Sequence, residues 1–366
     1  MMNMDIQCHS ELDTPSNNQN FLKRAGFVLA LFFSAILYTA EIDYAAETDP
    51  VITKGDSADD PAIWFNSKNP EKSLIFGTDK NSGIYVYDIK GNALSYSNLG
   101  RINNVDLREK DGTVHLVTSN RSTSTLDYWL FPADDLFNYF KNKPLNSFSE
   151  DIRHVQLKAG MDIYGICMGL VGGNLRAILT EEEGKTIQYW DLKAREIIGT
   201  IDITAEETNV PLFGNEAEGC VIDDENEHII ISREGMRGIL NAYDANTLEF
   251  IKIIDSRSGN IGGDPEGVTV YKTTDKEGFI IVSSQGDSKF NLYNRQFPFD
   301  YIRSFTVNDV TDTDGIDVTN KSIDGLFPQG FLVVQDGYNS PDNQNFKIVD
   351  MDQVLKKKVM NPGSID

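Results

Sequence analysis

A β-propeller of six four-stranded antiparallel blades is the all-β fold this sequence predicts, and three repeated patterns predict it. Six short apolar strands each run into a polar turn: SLIFGTDKNSG (73–83), VHLVTSNRSTS (114–124), RAILTEEEGKT (176–186), HIIISREGMRG (228–238), FIIVSSQGDSK (279–289) and FLVVQDGYNSP (331–341). Each is followed by a partner strand, in order IYVYDIKGN, LDYWLFPAD, IQYWDLKAR, LNAYDANTL, FNLYNRQFP and FKIVDMDQV, so each pair reads as a hairpin. A further strand precedes every hairpin: DDPAIWF (59–65), NNVDLRE (103–109), IYGICMG (163–169), EAEGCVI (216–222), DPEGVTV (264–270) and TDGIDVT (313–319). Counted from Asp60 through Asn104, Tyr164, Glu218, Glu266 and Asp314, the repeat recurs at intervals of 44 to 60 residues. That is the length of one blade, and the G-H…W-D signature of WD repeats is absent.

The chain begins with a different kind of segment. In FLKRAGFVLALFFSAILYTA (21–40), Lys23 and Arg24 precede a 16-residue apolar run, the plan of a secretory signal peptide. Residues 1–46 therefore read as signal peptide and leader, and 47–366 as the propeller. The expected location is secreted or periplasmic, with no stable membrane contact once the signal is removed. An uncleaved anchor is the alternative, because Tyr38-Thr39-Ala40 matches the cleavage pattern poorly. Within the repeats, ADDLFNYFKN (133–142) reads as a short helix in an insertion. A closed propeller is expected to be a monomer.

Asp and Glu number 56 against 33 Lys and Arg, a net charge of −23. Such a surface repels phosphate backbones, which excludes nucleic acid as a partner. Three cysteines match no zinc spacing. Cys8 falls in the leader, while Cys167 and Cys220 leave two readings open, a disulfide or two buried free thiols.

The propeller gathers the acids. If the strand preceding each hairpin is innermost, its first residues meet at one end of the central channel. Those residues are Asp59, Asp60, Asn104, Tyr164, Glu218, Asp264, Glu266, Asp312 and Asp314, with Asp106 close behind. Crowded carboxylates destabilise one another unless a cation neutralises them, and an all-oxygen donor set suits Ca²⁺. The four histidines have no zinc-ligand spacing. Turns after the second strand carry Lys80, Arg121, Glu182, Lys185, Arg233, Glu234 and Gln285. Cations beside a metal-binding acidic site suit an anionic ligand that bridges metal and protein, and phosphate is the obvious one.

At these residues the chain resembles the β-propeller phytases, the calcium-dependent alkaline phytases of bacteria. The resemblance is carried by GDSADDPAIWF, TDKNSGIYVYD, INNVDLR, SNRS, YGICM, EAEGCVIDDE, DPEGVTVY, SSQGDS, DTDGIDV, VVQDG and NQNFK, from about Glu47 to Asp350. It implies a six-bladed propeller with several calcium ions at one mouth, releasing phosphate stepwise from myo-inositol hexakisphosphate (phytate). It implies calcium ligation by Asp59, Asp60, Asp106, Glu218, Glu234, Asp264, Glu266 and Asp314, with Asp312 and Asp336 as further members. It implies phosphate contact by Lys80, Arg121 and Tyr164, which with Glu234 form the expected catalytic set. One position departs: where the family has a phosphate-contacting lysine, this chain reads TEEEG, with Glu182 in its place. Lys185 and Arg233 are the expected replacement cations for substrate binding.

Other phosphatase chemistries lack their residues. There is no Arg-His-Gly, neither Cys167 nor Cys220 has the C-x5-R pattern, and DTDGI lacks the threonine of an aspartyl-phosphate motif. The expected reaction is direct attack by water at a multi-calcium site, favoured at neutral to alkaline pH. The alternatives are a calcium-dependent lactonase or esterase on the same fold, and a propeller that binds phosphorylated ligands without turnover.

Overall fold

The computed structural model describes residues 39–148, 152–205 and 216–356. The expected signal segment lies outside the described residues except for Thr39 and Ala40, and so does Cys8. Among the described residues, no helix is long and apolar enough to cross a membrane.

Six antiparallel sheets follow one another along the described residues. Their inner strands are Ala58–Trp64, Ile102–Lys110, Ile163–Val171, Ala217–Asp223, Asp264–Lys272 and Ile316–Thr319. Each packs against the inner strand of the next blade, and the sixth returns to the first, so the ring closes. This is the six-bladed propeller expected from the repeats, with the predicted strands innermost.

The apolar runs are continuous because each central strand is buried on both faces. Alternate residues serve opposite neighbours. In the fifth blade Ile280 joins the core shared with the fourth, while Ile281 joins the core shared with the sixth. In the first blade Ile75 and Phe76 divide in the same way between the sixth and the second. The helix Leu136–Asn142 lies in the expected insertion and buries Leu136 and Phe140 in the cluster that holds Phe76, Phe131 and Phe148.

The chain closes its own ring. Ala46–Glu47 supplies the outer strand of the sixth blade by pairing with Asn345–Asp350. Just before it, Ala40–Ile42 adds a fifth, parallel strand to the fifth blade, alongside Tyr301–Val307. The expected domain start at residue 47 therefore falls inside a strand, and the propeller draws in residues from Ala40 onward. Strands of two and three residues are too short for any periodicity to announce them.

Cys167 and Cys220 form a disulfide between the inner strands of the third and fourth blades, with Cα atoms 5.6 Å apart. Of the two readings open in the sequence, the paired one holds.

Candidate active site at the propeller mouth

One irregularity recurs at the same level of the ring and aims the functional side chains. The register between first and second strands slips between Ala58 and Pro61, Ile102 and Val105, Ile163 and Ile166, Ala217 and Cys220, and Pro265 and Val268. A β-bulge inserts an unpaired residue and re-aims its side chain. The residues inside these slips include Asp59 and Asp60, Asn103 and Asn104, Tyr164, Glu218, and Glu266. Backbone groups freed by the bulge are satisfied from the second strand. Thr78, Ser119, Thr180 and Ser283 accept from the N–H groups of Asp60, Asn104, Gly165 and Gly267 at 2.9, 3.0, 2.7 and 2.8 Å. Ser232 donates to the Gly219 carbonyl, and in the sixth blade Gln335 accepts from Asp314 N–H at 2.8 Å.

Glycine follows the functional residue in the last four blades, because the next blade's backbone passes too close for a side chain. A Cβ on Gly165 would sit 1.8 Å from the Glu218 carbonyl oxygen, and one on Gly219 would sit 1.8 Å from that of Glu266.

The bulges bring Glu218 and Glu266 together with Glu234, which follows the fourth blade's second strand. Ligand oxygens of the three lie within 4.8 Å of one another. Burial, then the charges of Glu218, Glu216 and Asp264, push Glu234 up to about 9. Glu266 rises well above the carboxylate range, first through burial, then through Glu234, Glu218 and Asp314. Asp59 and Asp314 continue the cluster. Burial raises both, Lys80 opposes it and Glu218 reinforces it, leaving Asp314 at about 7 and Asp59 well above its usual range.

Lys80 stands among these acids, 2.8 Å from Asp56, 3.5 Å from Asp314 and 3.6 Å from Asp59. Burial favours its neutral form, but Asp59, Asp314 and Glu218 outweigh that and hold it charged. Arg121 is the second cation of the mouth. Its guanidinium lies 5.1 Å above the Tyr164 ring, donates to Asn103 Oδ1 at 2.9 Å, and pairs with Glu182. Asn103 in turn donates to Glu218 at 2.6 Å, tying Arg121 to the carboxylate cluster. Burial, then Glu218 and Glu234, raise the Tyr164 phenol far above its usual value and keep it protonated.

The donor set fits a hard cation. Glu234 Oε1 and Glu266 Oε2 are buried without a hydrogen-bond partner, and Asp59 Oδ2 has only the Lys80 ammonium at 3.6 Å, a costly state for carboxylate oxygens unless a further cation takes them. The described histidines are engaged elsewhere: His115, His154 and His228 each pack against an aromatic ring.

The remaining expected residues are placed differently. Asp264 accepts from Gly235 N–H and pairs with Arg257. Asp312 is exposed, beside a cavity of about 610 Å³ that Asp56, Gln285 and Asp314 also line. Asp60 and Asp106 lie around a channel cavity shared with Asp317. There Asp60 accepts from Val105 N–H, while Asp106 accepts from the N–H groups of Leu107 and Met168 and pairs with Arg108. Asp336 is buried 3.3 Å from Lys347 and accepts from the Thr311 and Tyr338 N–H groups, so its oxygens serve the sixth blade rather than the cluster.

Neither expected replacement cation is at Arg121. Arg233 is completely buried and donates to the Ile203 carbonyl at 2.8 Å, because strand alternation points it into the blade. Lys185 is largely exposed and pairs with Asp202 at 2.5 Å. Sequence reasoning does not reach Asp56, Asn103 or Arg257. Asn103 is legible as the neighbour of Asn104 inside the same bulge, whereas Asp56 and Arg257 lie in loops with no repeat to mark them.

The chain matches the sequence model of the family described as Phytase over residues 20–363. It is 31% identical over 333 residues to the 3-phytase of Bacillus subtilis (strain 168), spanning 85% of this chain and 83% of that protein. Two solved structures share the fold at much lower identity. An auxiliary nutrient binding protein from Bacteroides thetaiotaomicron VPI-5482 matches with a TM-score of 0.53 and 11% identity, over 85% of this chain and 75% of that one. A luciferin-regenerating enzyme matches with a TM-score of 0.52 and 12% identity, over 82% of this chain and 95% of its own. On the sequence matches and the ordered set of blade motifs, this chain belongs to the phytase family.

Proposed function

We propose that this chain is a secreted or periplasmic calcium-dependent 3-phytase, which releases phosphate stepwise from myo-inositol hexakisphosphate by direct attack of water. One observation carries the reading: Lys80 and Arg121 are held beside a carboxylate cluster whose oxygens require a cation. A site of that kind is complete only with a metal and an anion together.

Asp59, Glu218, Glu234, Glu266 and Asp314 are the residues that would hold calcium, with Asp264 and Asp312 as flanking carboxylates. Bound there, calcium supplies Lewis-acid charge that draws electron density from the phosphate oxygens. Lys80 and Arg121 bind the equatorial oxygens of the transferring phosphoryl group, where negative charge is spread in the transition state. Tyr164 supports the Arg121 guanidinium with its ring and, kept protonated by burial, donates its O–H. Water adds to phosphorus and the bond to the inositol oxygen breaks. The value near 9 of Glu234 belongs to the metal-free cluster; with calcium bound the group would be ionised and able to take a proton from that water.

Cys167 and Cys220 are joined to each other, which leaves no thiolate nucleophile among the described residues. The disulfide also supports an oxidising compartment and therefore export. A ring closed by its own N-terminal strands supports a monomer. The lactonase reading is disfavoured by the two cations, for which a neutral ester has no use.

The test is phosphate release from phytate by purified protein with calcium, against the same protein with excess chelator. Release with calcium and none with chelator is expected. Equal release in both overturns the metal, and none in either overturns the activity.

A further inference from the structure

Arg121 is already engaged before any phosphate arrives. One guanidinium nitrogen is given to Asn103 and another to the Glu182 carboxylate, the face is covered by the Tyr164 ring, and Nε is buried with no hydrogen-bond partner. Glu182 is the more open member of the ion pair, with a side chain 31% exposed against 14% for Arg121. An anion approaching Arg121 from solvent competes with that carboxylate for the guanidinium.

The displaced carboxylate stays within one side chain's reach of Arg121, because its backbone is tied down. The Glu182 N–H is bonded to the Asp162 carbonyl at 3.0 Å. Next to it, the Glu183 N–H is bonded to the Glu216 side chain at 2.8 Å. These bonds fix the backbone of the turn. Nor does the nearest lysine in sequence absorb the released charge, because Lys185 is committed to Asp202. A ligand that wins Arg121 therefore leaves a carboxylate standing beside it, and every further negative group on that ligand is repelled.

We propose that Glu182 is a specificity-determining residue, which occupies Arg121 in the resting site and penalises phosphate esters in proportion to the number of phosphates they carry. The inference rests on the phosphatase reading of the mouth. Relative to the same site without this charge, a lightly phosphorylated ester gains over the hexakisphosphate. The effect falls on binding, since Glu182 opposes the ligand before any bond to phosphorus changes, and it weakens as salt screens the charge.

The test compares wild type with Glu182→Gln and Glu182→Asp on phytate and on an aryl phosphate monoester. Glu182→Gln is expected to lower KM for phytate about tenfold, the order of one removed like-charge interaction at a partly buried site. The KM for the monoester should fall less, since the monoester displaces Glu182 but carries no further phosphate to be repelled, and kcat should change less than KM. Glu182→Asp, which restores the charge, should restore the wild-type ratio. Equal changes on both substrates, an effect on kcat alone, or no change in KM overturns the proposal. Calorimetric binding of inositol hexakissulfate, a polyanion with no phosphate to release, is measured on the same variants. If wild type releases no phosphate, the functional reading fails, while tighter hexakissulfate binding by Glu182→Gln still upholds the role of Glu182 and unchanged binding still refutes it.

Discussion

Two cations and one buried arginine separate catalysis from architecture at the scale of single residues. Lys80 and Arg121 are the two cations of the mouth, Lys80 beside Asp59 and Arg121 paired with Glu182 until an anion competes for it. Lys80→Ala and Arg121→Ala should each lower kcat/KM for phytate by about a hundredfold or more, as loss of a charge-stabilising group at a reacting centre does. Arg233 predicts the opposite pattern. It is buried with its guanidinium on the Ile203 carbonyl. Arg233→Met should leave KM for phytate unchanged and lower stability by about 1–3 kcal/mol, through the acceptor it abandons. A raised KM with an unchanged melting temperature would show instead that Arg233 reaches substrate. The sequence makes Lys80, Arg121 and Tyr164 legible because they recur at one level of the blade repeat. It does not separate Asp59 from Asp60, since adjacent residues in a strand differ only in the direction they face. That direction is set by the bulge, which has no residue type of its own.

The first two strands of a blade act as one element, and their hydroxyls are as necessary as the acids. Ser283 accepts from Gly267 N–H at 2.8 Å and donates to the Asp314 carbonyl at 2.6 Å, joining the bulge of the fifth blade to the start of the sixth. Ser283→Ala should cost about 1–3 kcal/mol for the buried groups left unpaired. Phosphate release should fall with it, because Glu266 and Asp314 lose their alignment. Full activity at reduced stability would limit the hydroxyl to a structural role. The strand alternation and turns of each blade are readable in the sequence, whereas this serine looks there like an ordinary end of an apolar strand. Its partner lies in the inner strand, at a register only the bulge defines. The N-terminal strands are hidden for a different reason, since Ala40–Ile42 and Ala46–Glu47 borrow their order from the blades they join. A chain starting at Thr39 should therefore melt higher than one starting at Thr48, by about 5–10 °C for a loss of a few kcal/mol. Equal melting would mean that the two short strands add nothing to the closed ring.

Over the whole molecule, the acid cluster sets how stability responds to pH and to metal. Asp314 is raised to about 7 and Glu234 to about 9, with Asp59 and Glu266 also well above their ordinary values. In the unfolded chain such groups titrate near 4. Across the interval from about 4 to about 9 these carboxyl groups therefore bind more protons in the native state than in the unfolded one, so their contribution to stability without metal falls as pH rises, and outweighs the opposite one of the half-buried His115 and His228. The net charge of −23 acts in the same direction through self-repulsion. Lys80 does not offset this, because its raised value keeps it charged throughout the interval and its contribution is lost only at higher pH. A cation that replaces the cluster's protons reverses the trend, since its affinity grows as the carboxylates ionise. Chelated protein should thus lose about 10 °C or more of melting temperature between pH 5 and pH 8. Added calcium should raise the melting temperature strongly at pH 8 and little at pH 5. Differential scanning calorimetry across that range, with and without calcium, decides the matter. A calcium shift of equal size at both pH values, or a metal-free protein that grows more stable toward pH 8, would mean that these carboxylates do not form the cation site. The same propeller that gathers these acids from its first, fourth, fifth and sixth blades would then have to hold them in place by protonation alone.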